Sequence, residues 1–310
     1  MTDLLHQNEH SEHLPEAVRE LIREAHSENT RKAYQSDLRV FLKWGGSIPS
    51  SPKQLASYLA DQGSRLHPST LSRHMVALGA AHRRLSGSAN PTQHILVKTA
   101  LKGLRRKYGM SQKQASPLML EDLWKILDGM GEGPKCQRDK SLLLVGFAGG
   151  LRRSEIVSLN LDDLEFVREG LILTLRKSKT DQEAVGRRIG IPFARGCWCP
   201  VLELTAWLDL IETKCGPVFR SFRKGGKVQH TRLSGEAVSI LIKKHVSAIG
   251  LNPSNYSGHS LRAGFVTSAA KAGISNHLIR AQTGHASDVS MSRYIREGEM
   301  FEGNAARRLL

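Results

Sequence analysis

Two arginines, two histidines and a tyrosine stand where their chemistries could combine. Arg152 lies in Gly150-Leu151-Arg152-Arg153-Ser154-Glu155, and His259 and Arg262 in Gly258-His259-Ser260-Leu261-Arg262. His285 follows Gly284, and Tyr294 comes nine residues later. Two guanidiniums can clamp one phosphate bidentately. Histidines beside such a clamp can donate a hydrogen bond or move a proton. A tyrosine hydroxyl at the same place can attack the phosphorus. If these residues converge, the chemistry is phosphoryl transfer through a covalent tyrosyl intermediate.

The charge balance points to a polyanionic partner. The chain carries 45 Lys and Arg against 29 Asp and Glu, a formal charge of +16. The excess is uneven. Residues 1–28 hold seven acids and two bases, whereas residues 29–113 hold fifteen bases and only two acids, Asp37 and Asp61. A segment so one-sided repels itself unless an anion neutralises it, and nucleic acid is the partner that fits. A basic surface kept for solubility would not need acids excluded so completely. An anionic membrane fits poorly, because the sequence shows no lipidation signal and no sustained basic amphipathic helix with an aromatic face. No stretch approaches the ~20 apolar residues of a membrane span. The N-terminus is polar and acidic with no visible secretory signal, so a prokaryotic cytoplasmic or nucleoid location is expected. The four cysteines, Cys136, Cys197, Cys199 and Cys215, are too few for a disulfide framework and fit free thiols. The Cys197-x-Cys199 pair lacks the paired clusters of a structural zinc site, and no metal is expected.

The periodicity divides the chain into a flexible acidic tail at 1–13, a helical DNA-binding unit at 14–109, a polar linker at 110–117 and a second unit at 118–310. In the first unit helices are expected at 14–28, 31–44, 52–62, 70–85 and 91–107, with no strand. The second unit reads as helical with one small antiparallel sheet, its strands at 171–175 and 187–192 around a polar loop at 176–186. Its further helices are expected at 121–127, 138–147, 200–212, 234–249, 260–272, 275–283 and 288–294. The fold class is mostly α. Two basic units on a flexible linker suggest a clamp around a duplex.

The second unit resembles the catalytic domain of the tyrosine site-specific recombinases, the phage integrase family. Gly150-Leu151-Arg152-x-Ser154-Glu155 resembles the first arginine box of that family. Lys177-Ser178-Lys179-Thr180, between the two strands, resembles its lysine hairpin. His259-x-x-Arg262, Gly284-His285 and Tyr294 match the remaining boxes in order and spacing. In the first unit, Asn29-Thr30-Arg31-Lys32-Ala33-Tyr34 with Asp37-Leu38 resembles the core-binding domain. The residues at 257–263, Tyr294-Ile295-Arg296 and Arg308-Leu309-Leu310 are most similar to the Cre-like branch. Cre itself carries tryptophan where this chain has His285.

The resemblance implies roles that the chemistry supports. Arg152 and Arg262 would neutralise the charge that develops on the phosphate. Tyr294 would be the nucleophile. Its phenol has a reference pKa of ~10, so it needs the cationic pocket and His259 as proton acceptor. The 5′-hydroxyl leaves poorly as an alkoxide, and Lys179, with Lys177 as its competitor, would be the general acid. His285 would hydrogen-bond a non-bridging oxygen, and Glu155 would orient Arg152, His259 or the lysine loop. A phosphotyrosyl ester keeps the bond energy, so neither ATP nor another cofactor is expected. Singly, each residue has a plain structural reading. Arg152 could pair with Glu155 on a helix surface, His259 and Arg262 could face solvent, and Tyr294 could be a core residue. Their joint order and spacing carry the argument.

The resemblance also implies a duplex target with inverted repeats and a homo-tetramer on DNA, monomeric or weakly dimeric when free. Strand exchange would run through a Holliday junction. Ala305, Ala306, Leu309 and Leu310 would dock on a neighbouring protomer. No extra N-terminal DNA-binding domain is expected before the bundle. The acidic N-terminal segment would either contact a neighbour's basic bundle or shield that bundle until DNA arrives. Arg31, Lys32, Arg73, Arg83, Arg84, Lys102, Arg105 and Arg106 are candidate DNA contacts. Two other function classes fit parts of the pattern: a type IB topoisomerase-like strand transferase and a catalytically silent DNA-binding protein.

Overall fold

The computed structural model describes residues 15–25, 27–85, 89–109, 114–176 and 186–285, with backbone alone for 22–24. The chain divides into two units, Met1–Gln112 and Lys113–Leu310.

In the first unit α1 spans Glu16–Glu24, α2 Glu28–Trp44, α3 Pro52–Gln62, α4 Pro68–His82 and α5 Ile95–Tyr108, with a 3-10 turn at Pro91–Gln93 before α5. The starts follow local capping chemistry. Ser27 Oγ accepts the Thr30 N–H, Ser51 Oγ the Gln54 N–H, and His67 Nδ1 the Ser69 N–H. Pro52 and Pro68 occupy first-turn positions where no N–H is needed. Gly45 ends α2 in the left-handed conformation. Leu38, Phe41, Leu55, Tyr58, Leu59, Leu71 and Leu78 form the core. The Phe41 and Tyr58 rings meet edge to face at 5.0 Å.

A buried polar chain crosses this core. Arg73 donates through Nε and Nη2 to Asp37, both at 2.8 Å, and His74 Nε2 lies 3.1 Å from the same carboxylate. The Tyr58 hydroxyl lies 2.6 Å from His74 Nδ1. Burial, then the Asp37 charge, push the Tyr58 phenol up to about 12, so it is protonated and donates to His74. The chain fixes α2, α3 and α4 against one another with its inner polar groups paired.

In the second unit α6 spans Leu120–Asp128, α7 Pro134–Ala148 and α8 Arg153–Ser158. After a 3-10 turn at Leu161–Asp163 come β1 at Leu164–Val167, β2 at Gly170–Leu175 and β3 at Arg187–Pro192. Then follow α9 at Pro200–Ile211, β4 at Arg220–Phe222, β5 at Val228–Arg232 and α10 at Gly235–Ala248. A 3-10 turn at Pro253–Asn255 leads to α11 at Ser260–Lys271 and α12 at Asn276–Thr283. The order β1-β2-β3 is antiparallel throughout, with Leu173 opposite both Leu164 and Ile189. Alternation buries Leu171, Leu173 and Leu175 on β2 and Ile189 and Ile191 on β3. These side chains join Leu142, Leu143, Val145, Trp207 and Phe219 in one core.

The expectation of a single two-stranded sheet is corrected. Among the described residues there are two sheets, one of three strands and the β4–β5 hairpin. β1 is four residues long with its two middle residues exposed, so it shows no alternation. The β4–β5 hairpin is short and basic, with Phe222 and Val228 as its apolar contacts to the core, so no apolar alternation announces it. The six-residue α8 is too short for helical periodicity to register. The loop at 177–185 and the helix expected at 288–294 lie outside the described residues. Among the described residues no helix is long and apolar enough to cross a membrane.

Candidate active site

The turn from α7 into α8 sets the first arginine. Gly150 takes φ +55, where a Cβ would also meet Thr283 Cγ2 at 2.7 Å, so the position favours glycine twice over. The Arg152 N–H donates to Glu155 Oε2 at 2.7 Å, and Arg152 Nη1 donates to Oε1 at 2.6 Å. One carboxylate thus caps the start of α8 and aims the guanidinium. Glu155 is 2 % exposed, and Arg187 Nη2 approaches its Oε2 to 3.9 Å.

The start of α11 sets the second pair. Ser257 Oγ accepts the His259 N–H, and Ser260 Oγ accepts the Ser257 N–H. The resulting turn places His259 at the head of α11 and Arg262 within its first turn. Arg262 is 1 % exposed, and its Nη1 donates to Gly150 O at 2.7 Å and Thr283 O at 2.6 Å. This one guanidinium therefore ties α11 to the Arg152 turn and to the end of α12.

Gly284 closes α12 at φ +65, and its N–H donates to Arg280 O at 2.7 Å. The turn brings His285 Nδ1 to 2.7 Å from Thr283 Oγ1, and that oxygen is also 2.7 Å from Ile279 O. The Thr283 hydroxyl has one proton for two acceptors, so its rotation selects which imidazole nitrogen of His285 carries the proton.

The electrostatics agree with convergence. Burial, then the charges of Arg262 and Arg152, then His259 and Arg187, push the His285 imidazole down to about 3. Crowding by protein atoms, then Arg262 and Arg152, lower the His259 imidazole, although the residue opens to solvent at its edge. His285 is therefore neutral at neutral pH, and His259 is biased the same way.

Arg152, Glu155, His259, Arg262 and His285 thus come together from three separate stretches of chain. Lys177, Lys179 and Tyr294, with Ala305, Ala306, Leu309 and Leu310, lie outside the described residues. Two neighbours of the site were not visible in the sequence. Arg187 is not singled out because it reads as one of two adjacent cations, with Arg188, at the mouth of an expected strand. The signal was its phase on β3, since alternation puts it on the same face as the buried Ile189 and Ile191. Thr283 carried no signal, because its role depends on the turn at Gly284.

In the helical unit, Lys32, Arg83, Lys102, Arg105 and Arg106 are exposed, and Arg31 and Arg84 are half-buried. Lys32 pairs with Glu28 at 2.6 Å. Arg73 is half exposed but committed to Asp37, and Arg105 Nη2 donates to Ser72 Oγ at 3.0 Å beside it.

Comparison with known proteins gives the class. A profile of the phage integrase family matches residues 116–299. An integrase/recombinase XerD homologue from Selenomonas ruminantium is 35% identical over 310 residues, covering 97% of this chain and 91% of its own. The tyrosine recombinase XerD of Pseudomonas putida is 24% identical over 279 residues, 86% of each chain. Among solved structures, the XerH site-specific recombinase bound to its palindromic difH substrate has a TM-score of 0.62 at 18% identity. That match covers 91% of this chain and 77% of XerH, and is a likeness of fold. The chain belongs to the phage integrase family and is a tyrosine recombinase, an enzyme of site-specific DNA recombination.

Proposed function

We propose that this recombinase cleaves and rejoins duplex DNA through a 3′-phosphotyrosyl intermediate on Tyr294. It would exchange strands between two sites with inverted repeats, through a Holliday junction held in a homo-tetramer. The observation that carries the reading is the convergence of Arg152 and Arg262 with His259 and His285 around Gly150 and Thr283.

Arg152, fixed by Glu155, and Arg262, fixed by two backbone carbonyls, neutralise the phosphate without reorganising during the reaction. His259, with its pKa lowered, accepts the Tyr294 proton as the phenol attacks. The Tyr294 oxygen bonds to phosphorus, the bond to the 5′ oxygen breaks, and Lys179 delivers a proton to that oxygen. Lys177 is the alternative acid. His285 donates through Nε2 to a non-bridging oxygen. For this, its Nδ1 must accept, so the Thr283 hydroxyl turns from Ile279 O to the imidazole. Religation reverses these steps with the 5′-hydroxyl of the partner strand.

The basic helical unit supports double-stranded DNA as the partner, with Arg31, Lys32, Arg73, Arg83, Arg84, Lys102, Arg105 and Arg106 as contacts. The chain belongs, in this reading, in a prokaryotic cytoplasm or nucleoid. The segment divisions 1–13, 14–109, 110–117 and 118–310 are part of the same proposal. So is the Cre-like branch, supported by sequence wording beside relatives that carry Xer names. An apolar cleft of about 980 Å³ in the second unit supports assembly. It is lined by Leu120, Trp124, Phe193, Ile274 and Leu278, and the last four of these are exposed. It suits Leu309 and Leu310 of a neighbouring protomer.

The test is strand exchange on a plasmid bearing two copies of DNA that flanks the protein's own gene, without Mg²⁺ or ATP. Recombinant circles with four-way junction intermediates are the expected products. Relaxation of the plasmid without exchange would favour the topoisomerase-like reading.

A further inference from the structure

We infer that Arg187 is a third arginine of the recombination site, a positioning residue that holds Glu155 and the turn at 282–285 in register for the phosphate. The inference rests on the proposed phosphate clamp of Arg152 and Arg262 and extends it. Arg187 opens β3, opposite Leu175, and points inward with Ile189 and Ile191. Its Nη1 donates to Gln282 O at 3.0 Å. Its guanidinium lies against Gly284, where a Cβ would fall 2.3 Å from Nη1 and 2.6 Å from Cζ. The same side chain reaches toward Glu155, 3.9 Å from Oε2, and Glu155 is the carboxylate that aims Arg152. Gln282 locks this arrangement from its other end, donating to Ala148 O and Gly190 O.

Packing alone gives no reason for a cation here. A neutral donor would satisfy Gln282 O. Instead the chain buries Nη2 with no hydrogen-bond partner among the described residues, within reach of the Arg152 charge. Burying such a nitrogen, and crowding like charges, are both costly. Burial, more than the Arg152 charge, opposes the Arg187 cation, and among the described residues Glu155 favours it. The charge count suggests the use. Arg152, Arg187 and Arg262 against Glu155 leave a net charge of +2 before His259 takes the Tyr294 proton, and +1 if Arg187 is removed. A phosphodiester attacked by a phenolate carries two negative charges at its five-coordinate stage. Without Arg187, Glu155 would belong wholly to Arg152 and cancel it. With Arg187, the carboxylate is shared, and Arg152 keeps charge for the phosphate.

Inorganic phosphate is the probe, added to the full chain with ¹³C-labelled histidine. Arg187→Gln and Arg187→Lys are compared with wild type, and Arg152→Ala serves as the reference. Phosphate is expected to move the His259 and His285 resonances of wild type. Arg187→Gln should weaken phosphate binding roughly tenfold and raise the pH midpoint of His285. Arg187→Lys should keep the midpoint low while recovering only part of the affinity, because it restores the charge but not the fork. Wild-type affinity and midpoint in Arg187→Gln, with phosphate binding lost in Arg152→Ala, would overturn the inference and leave the clamp standing. Phosphate that moves neither histidine in wild type would sink the clamp itself, and this inference with it. Should Arg187→Gln lose its fold, Arg187→Lys carries the test, and unchanged phosphate affinity there overturns the inference.

Discussion

Arg262→Lys is expected to slow DNA cleavage by roughly 10²–10³-fold, the scale seen when one preorganised donor to a developing anion is removed. Lysine keeps the positive charge, so loss of charge is not the cause. The fork is what disappears. Arg262 Nη1 bridges Gly150 O and Thr283 O, two carbonyls from segments that hold Arg152 and His285. A single ammonium on a shorter reach cannot serve both carbonyls and a phosphate. Each buried carbonyl left without a donor costs about 1–3 kcal/mol. The variant should therefore lose stability as well as rate. Single-turnover cleavage and thermal denaturation on the same preparation check this. A variant with wild-type cleavage would show that charge alone suffices at this position.

The second large effect is structural in origin and catalytic in consequence. Gly264→Ala is expected to destabilise the second unit by about 1–3 kcal/mol, the usual range for forced overpacking. A Cβ at Gly264 would fall 1.8 Å from Leu118 O and 2.6 Å from Leu118 C. Those are backbone atoms, so no rotamer change relieves the clash. The Leu118 N–H is itself tied to Ser260 O at 3.0 Å, on the same helix. Helix α11 must shift away from the 118 strand of chain, and it carries His259 and Arg262 with it. A melting temperature lowered by roughly 2–4 °C per kcal/mol, together with a fall in cleavage larger than the fall in DNA affinity, is the expected pattern. An unchanged melting curve would contradict the packing described for α11.

How far the site was legible follows from what each residue's signal depends on. Arg152, His259, Arg262 and His285 could be read because their types and order are unusual and sit in short glycine- and serine-rich turns. Strands β2 and β3 could be read because one face of each is buried, which writes alternation into the sequence. The β4–β5 hairpin sets Phe222 and Val228 against the core, too few apolar residues to write an alternation, and β1 is too short to alternate. Arg187 and Thr283 act through contacts to Glu155, Gln282 and His285 that only the fold creates. Arg73 shows the same limit from the other side. Its type suggested a DNA contact, but the sequence could not show that two of its donors are spent on buried Asp37. Whatever Arg73 offers to DNA comes from the rest of a guanidinium already held still.

The covalent bond to DNA is proposed to form on Tyr294. Wild type and Tyr294→Phe would be incubated, without Mg²⁺ or ATP, with nicked duplexes drawn from DNA flanking the protein's own gene. Protein–DNA adducts that survive SDS would then be scored. An adduct is expected with wild type and none with Tyr294→Phe, while both bind the same DNA with the same salt dependence. An adduct of equal yield from Tyr294→Phe would contradict it.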